Sequence, residues 1–510
     1  MKDVTGRRRF LRRASIGGAA IALGDLGILG QLPAVSVEEA TLDPEIVQLR
    51  PEMEPVVRLI EDTPREKLLE EIATRIKAGK LRYQEVLGGL LLAGVRNVQP
   101  RPSVGFKFHA VLVVNSAHLA SVASPDRERW LPIFWALDEF KASQARDVRE
   151  GNWTMAPVDE AKVPPANKAR SAFIRAMDRW DVEAADVAVA ALARSAPANQ
   201  VFELFVRYGA RDFRSIGHKA IFVANSFRTL QVIGWRHAEP VLRSLAYALL
   251  NHNGQPNPAE SDLDADRPWR ENGALVEQFP KGWRAGKLDR DASGEIITSL
   301  REASPAEASA LVVELLGRGI SAQSVYDGLL VGSGELLMRQ PGIIALHAMT
   351  TSNALRYAFN TSGDEDTRRR LLLQNASFLP MFRDAMPGRG KVGDAEVDTL
   401  EGLTVEGSDA EIVDAVFQDV GRDRHAAAGK LLGQLDAGLD PKLVLDTARR
   451  YVFLKGNNSH DYKFSSAVLE DFYQVSPAWR NRFLAASLFN LRGAKDRDNA
   501  LVGRARTALG

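Results

Sequence analysis

Residues 208–252, YGARDFRSIGHKAIFVANSFRTLQVIGWRHAEPVLRSLAYALLNH, carry the pattern that decides the fold. In this stretch His218 heads an apolar run, a glycine-bounded turn follows at Gly234, and a second apolar run ends near Leu249. Apolar residues recur at helical rather than alternating spacing, which predicts a helix pair.

The same layout recurs elsewhere. Aligned without a gap from His460, the chain pairs Phe222 with Phe464, Leu230 with Phe472, Leu242 with Leu484 and Leu249 with Leu491. Two further copies begin near Gly94 and Gly334, and each again has a histidine at the head of its apolar run: His109 and His347. Helical periodicity alone makes apolar positions coincide, so the shared histidine is the more telling match.

SPAEASALVVELLGRGISAQSVYDGLLVGS, from Ser304, also echoes TPREKLLEEIATRIKAGKLRYQEVLGGLLLAG, from Thr63. These correspondences predict an all-α chain with a duplicated helical-repeat architecture, two tandem halves of two quasi-repeated units each. The expected layout is a signal segment at 1–36, a linker at 37–54, a first half at 55–252, a Gly/Pro/Asp-rich linker at 253–303, a second half at 304–493 and a tail at 494–510. Residues 141–168, polar and proline-containing, read as a long loop.

Cysteine is absent from the 510 residues. That removes thiolate catalysis, iron–sulfur clusters, cysteine-ligated zinc, covalently attached haem and disulfides. A formal net charge of +1 gives no basic footprint for nucleic acid.

The N-terminal segment GRRRFLRRASIGGAAIALGDLGILGQLPAVS resembles a twin-arginine export signal. Arg7, Arg8, Phe10, Leu11 and Arg12 match its core, Ala14 to Leu29 forms a weakly apolar run, and Ala34, Val35 and Ser36 offer a cleavage site. The resemblance implies passage through the twin-arginine translocase in a folded state and a periplasmic or otherwise exported destination. No cysteine follows for a lipid anchor, and no later stretch is apolar for the roughly 18 to 20 residues of a membrane helix, so no stable membrane anchor is expected.

The repeat histidines His109, His218, His347 and His460 are the first candidates for chemistry. Equivalent positions in four related units can project to one axis, where neutral imidazoles are apt ligands for a first-row transition metal, or a pair of them, such as His109 and His347, for a non-covalent haem. The competing use is structural, with each histidine capping its helix or bonding a neighbouring unit. His218 and His460 sit in richer settings. Lys219 follows the first, and Asp461, Tyr462 and Lys463 follow the second, so these six residues form the candidate catalytic set, with Ser459 as the expected helix cap.

A second repeated feature is an asparagine followed three residues later by a basic group: Asn115 and His118, Asn225 and Arg228, Asn353 and Arg356. The fourth unit has Ala467 and Glu470 instead, and hydrogen-bond ladders between units are the main use expected of them. His237 and Glu239, beside Trp235, either border a pocket or belong to a helix–helix turn. DRDASGEI, from Asp289, copies the start of an EF-hand loop but has Leu300 where the bidentate glutamate belongs. Nucleotide-binding glycine motifs and the HExxH and GxSxG signatures are absent.

The histidines at 109, 218 and 347, with the HxxK of His460 and Lys463, resemble the spaced histidine motifs of the questin oxidase-like family. That resemblance implies a helical enzyme that cleaves an aromatic polyketide ring oxidatively with NADPH and oxygen. Two functional classes follow: an exported oxidoreductase with a histidine-lined site for a small-molecule ligand, or a helical-repeat binding or scaffold protein without catalysis. Convergence of the histidines on one point separates them.

Overall fold

Six helices carry the site: α1, His109–Leu112; α2, Val114–Ala123; α3, Trp130–Glu150; α4, His218–Ile233; α5, Ile343–Thr361; and α6, Ser459–Asp471. The computed structural model describes residues 46–100, 104–250 and 254–509, and among them the protein is all-α, with a single isolated bridge between Lys287 and Ile320. The export signal at 1–36 and most of the linker at 37–54 lie outside the described residues.

Local chemistry sets the helix ends. Gly217, at φ 79°, and Gly234, at φ 104°, bracket α4 in backbone conformations that cost a side-chain-bearing residue strain. The Asn458 side chain accepts the amides of His460 and Asp461, and Asp461 returns to the Asn458 amide, a reciprocal capping box that starts α6. The cap is thus Asn458 rather than Ser459, which is already in the helix.

The helices α2, α4, α5 and α6 form a closed ring, each packing on the next and α6 packing back on α2. All four run the same way. The histidine-bearing starts of α4, α5 and α6 meet α1, which carries His109 just ahead of α2, at one end, and beyond them Asn225 donates to the Leu112 carbonyl while Asn353 donates to the Asp471 carboxyl on α6. From His218 to Asn225 and from His347 to Arg356, every side chain is buried. Helices apolar on all sides belong inside a second layer of helices, and here that layer includes α3 and the helix Tyr83–Asn97. Phe108, just before α1, meets Phe222 of α4 edge to face at 4.8 Å, both rings buried, which fixes the two histidine-bearing helix starts against each other.

Residues 218–249 and 460–491 each contain a helix followed by a turn and a second helix, ending at Leu249 and Ser487. Segment 141–168 departs from the expected loop, because α3 continues through it to Glu150, helped by the i,i+4 pair of Arg146 and Glu150. Segment 253–303 also departs from a linker: Arg267–Val276 and Arg290–Leu300 are helices. Asn272 there donates to Gln374 and Ser377, and Val47–Gly510 forms one compact unit in which the ring draws two helices from each expected half. Asp289 caps Arg290–Leu300 by accepting the Ala292 amide. The calcium-loop pattern is therefore a helix start, whose residues point outward around a cylinder instead of inward around an ion.

Among the described residues no single helix is long and apolar enough to cross a membrane. Phe106–Leu112 and Val114–Ala123 together approach that length, but they bend by 44° and His109–Ala117 are buried within the ring.

Candidate metal centre

His109, His218, His347 and His460 converge, and one ring nitrogen from each lies within 4.8 Å of all the others. Around the ring the imidazole centroids are 5.0 Å apart from His109 to His218, 4.4 Å from His218 to His347, 5.2 Å from His347 to His460 and 4.5 Å from His460 back to His109. The order follows the helices.

Three of the imidazoles are held by their own helix starts. His109 Nδ1 donates to the Phe106 carbonyl at 2.7 Å, His218 Nδ1 to the Ser215 carbonyl at 2.7 Å and His347 Nδ1 to the Ile343 carbonyl at 2.6 Å. A carbonyl only accepts, so each Nδ1 carries the proton and each neutral ring turns its Nε2 lone pair inward. Those lone pairs face one another, with Nε2 of His218 at 3.1 Å from that of His109 and 3.0 Å from that of His347. His460 Nε2 is buried with no hydrogen-bond partner.

Protonation does not relieve this crowding. Burial, the Lys463 charge and the other histidines push the proton affinity of His109 and His218 well below the usual imidazole range; for His347 burial and His218 lead, with Lys463 next. His460 falls to about 3, again through burial and Lys463. The four rings are therefore neutral at neutral pH. The positive ends of the helices, directed at the same point, disfavour imidazolium further.

Backbone strain surrounds the site. Phe106, at φ 48°, and Ile216, at φ 43°, adopt left-handed conformations just ahead of His109 and His218, where such strain is tolerated only if the surroundings enforce it. Gly105, at φ 151°, lies against both rings: a β-carbon added there would be 3.6 Å from His218 Cε1 and 3.7 Å from His109 Cε1.

The neighbours expected to share the site divide. Lys463, one helical turn beyond His460, is buried and lowers the proton affinity of all four imidazoles. Lys219 instead turns away, its ammonium 2.7 Å from Asp212 and 5.2 Å from the face of Trp180. Asp461 binds Arg492 at 2.7 Å and caps its own helix. Tyr462 stacks on Trp135 at 4.1 Å. Residues one and two positions after a histidine rotate about 100° and 200° around the helix, while the third returns to its face, which is why only Lys463 stays.

Two of the three asparagines, Asn225 and Asn353, bridge neighbouring helices of the ring, while Arg356 turns outward to Gln323. Arg228 donates to Asn225 and Asn353 and pairs with Glu470 at 2.7 Å, so the fourth unit's departure supplies the carboxylate that the others lack. His118 bonds Tyr83 at 2.9 Å and lines a cavity of about 600 Å³ with Ser466, Tyr357 and Arg449. Ten residues separate His218 from Arg228, so that cavity lies about 15 Å from the histidines. His237 takes a hydrogen bond from Arg236, and Glu239 pairs with Arg194, both apart from the histidine ring.

Haem does not fit. With four imidazole nitrogens within 4.8 Å, two of the rings occupy the space where a porphyrin would lie between the other two. A single ion does fit. Nitrogens about 2.1 Å from one metal lie about 3.0 Å apart along the edge of a square and about 3.4 Å apart in a tetrahedron; the His109–His218 and His218–His347 contacts, at 3.1 and 3.0 Å, are of that order, while His460 Nε2 makes no such contact. Residues missed from sequence are the carbonyls of Phe106, Ser215 and Ile343, whose positions three or four before each histidine were the available signal. No protein-family model, curated protein or solved structure matches the chain.

Proposed function

We propose that this chain is an exported metalloprotein of the oxidoreductase class, holding one first-row transition metal on His109, His218, His347 and His460. The observation that carries the reading is the set of inward Nε2 lone pairs at 3.0 and 3.1 Å, each Nδ1 proton already committed to a carbonyl. Facing acceptors repel one another unless a cation lies between them, and burial disfavours a proton in that role.

An all-imidazole set would suit copper, nickel or iron, held by His109, His218, His347 and His460. Such a metal supplies one-electron chemistry, and the protein's residues keep the ligands neutral, oriented and away from bulk water. Oxidation of an organic substrate, the reaction class implied by the histidine motifs, is within that chemistry. The arginine pair at Arg7 and Arg8 supports export, and a folded, cofactor-loaded state suits the twin-arginine route. Convergence of the histidines favours this reading over a scaffold, in which they would be spread along the seams between units.

Elemental analysis and electron paramagnetic resonance of the purified protein test it. About one equivalent of metal is expected, falling at least tenfold in His218→Ala and His347→Ala with helical content retained. A wild-type protein that stays metal-free after incubation with copper, nickel, iron and zinc refutes it.

A further inference from the structure

Lys463 is 2% exposed, and its ammonium nitrogen is buried with no hydrogen-bond partner. Leaving such a group unsatisfied is costly in either protonation state, since both carry N–H donors. The carboxylates on its own helix are committed elsewhere, Asp461 to Arg492 and Glu470 to Arg228, and Asp471, bonded to Asn353 through one oxygen, lies two turns further along the helix. Lys219, the other buried lysine near a histidine, has Asp212 at 2.7 Å and needs nothing more. The difference between the two lysines is the informative point.

Two other unsatisfied atoms belong to the histidine end of the ring. His460 Nε2 has no partner, and neither has Thr351 Oγ1, whose side chain packs against Gly217 immediately before His218. Gly105 lies against the rings of His109 and His218 through its backbone, leaving no side chain over them. Lys463, one turn further along α6, lies on the side of that helix that carries His460, and its charge reaches all four imidazoles. A buried donor without an acceptor, on the same helix side as one histidine of a candidate metal group, calls for a group that accepts a hydrogen bond and binds a cation through the same or an adjacent atom.

We infer that the centre takes a small anionic ligand, of the class of hydroxide, azide or formate, held between the metal and the Lys463 side chain. This rests on the metal reading above. The lysine contributes a hydrogen bond and charge to the ligand, and it is a positioning residue rather than a metal ligand. A bulky organic anion is excluded by the enclosure of Lys463, so the site belongs to a small co-substrate or to solvent-derived hydroxide rather than to the organic substrate.

The test uses full-length protein loaded with copper(II), with metal content measured separately from anion binding. Azide titration of the wild type is expected to give a saturable new charge-transfer absorption. Lys463→Met should keep its copper and bind azide about ten- to a hundredfold more weakly, as loss of a charge-assisted hydrogen bond implies. Lys463→Arg should recover much of the affinity. Copper-loaded wild type that ignores azide, or Lys463→Met that binds azide like wild type, overturns the inference and leaves the metal reading intact. Loss of copper in Lys463→Met, with wild-type helical content, also overturns it by making the lysine a ligand. Failure of wild type to hold copper or any other metal ends both.

Discussion

Replacing Gly217 with alanine tests the packing that sets His218. The residue sits at φ 79°, where a side chain costs about 1 to 2 kcal/mol relative to glycine. An added β-carbon would also lie 1.8 Å from Thr351 Oγ1, 2.7 Å from its Cγ2 and 2.8 Å from its Cβ. Thr351 is fully buried on α5, so its side chain has nowhere to turn, and overpacking of this kind adds about 1 to 3 kcal/mol. Together the loss is about 2 to 5 kcal/mol, and it displaces the first turn of α4, so metal retention should fall with stability. Thr351→Ala alone deletes a hydroxyl that has no partner and a methyl group, and should change stability by about 1 kcal/mol or less. In the double variant the two closest clashes vanish while the backbone strain and the Cβ contact remain. A double-mutant cycle should therefore show a coupling of about 1 to 3 kcal/mol, read from urea unfolding followed by far-ultraviolet circular dichroism. Gly217→Ala within about 0.5 kcal/mol of wild type, or single-variant losses that simply add, would refute this account of the α4–α5 contact.

Three further outcomes are expected. Burial pushes the Asp471 carboxyl up to about 8 from an ordinary 3.8, so stability is full below about pH 4 and declines as pH rises toward 8, by at most about 1.4 kcal/mol per pH unit; Asp471→Asn should flatten that decline, and unfolding curves of unchanged slope against pH would contradict it. Arg96, buried between Glu54 at 2.9 Å and Glu61 at 2.6 Å, leaves two buried carboxylates when changed to methionine, so Arg96→Met should lose about 3 to 5 kcal/mol in the same unfolding assay. Changing Arg7 and Arg8 together to lysine should leave precursor in the cytoplasm on cell fractionation, and normal export of that variant would remove the twin-arginine assignment.

The all-α class was legible from helical spacing, and the four histidines stood out because each begins its own apolar run; that they meet at one point, rather than along seams between helices, is shown by the structure. The neighbours were harder to read. Lys219, Asp461 and Tyr462 are adjacent to histidines in sequence, and adjacency on a helix means a different face, whereas Lys463 shares the face of His460. The helices at Arg267–Val276 and Arg290–Leu300 were hidden by glycines, prolines and aspartates. Pro268 sits in a first turn and Asp289 at a cap, positions where those residues start helices. In α3 the polar residues of 141–150 lie on a helix whose apolar first half is buried, and polarity alone gave no sign that it continued. The carbonyl acceptors left no side-chain signature.

The closed ring also dictates when the site comes into being. Its histidines are 109 residues apart from His109 to His218 and 129 from His218 to His347, and the last waits for His460, a further 113 residues on. No fragment released early from the ribosome contains all four, and each closure spans a long loop whose entropy must be overcome before the contact forms. On the proposed metal reading, occupancy of the centre would report that the ring has closed: a chain that lacks His460 or is misassembled has too few inward nitrogens to hold an ion.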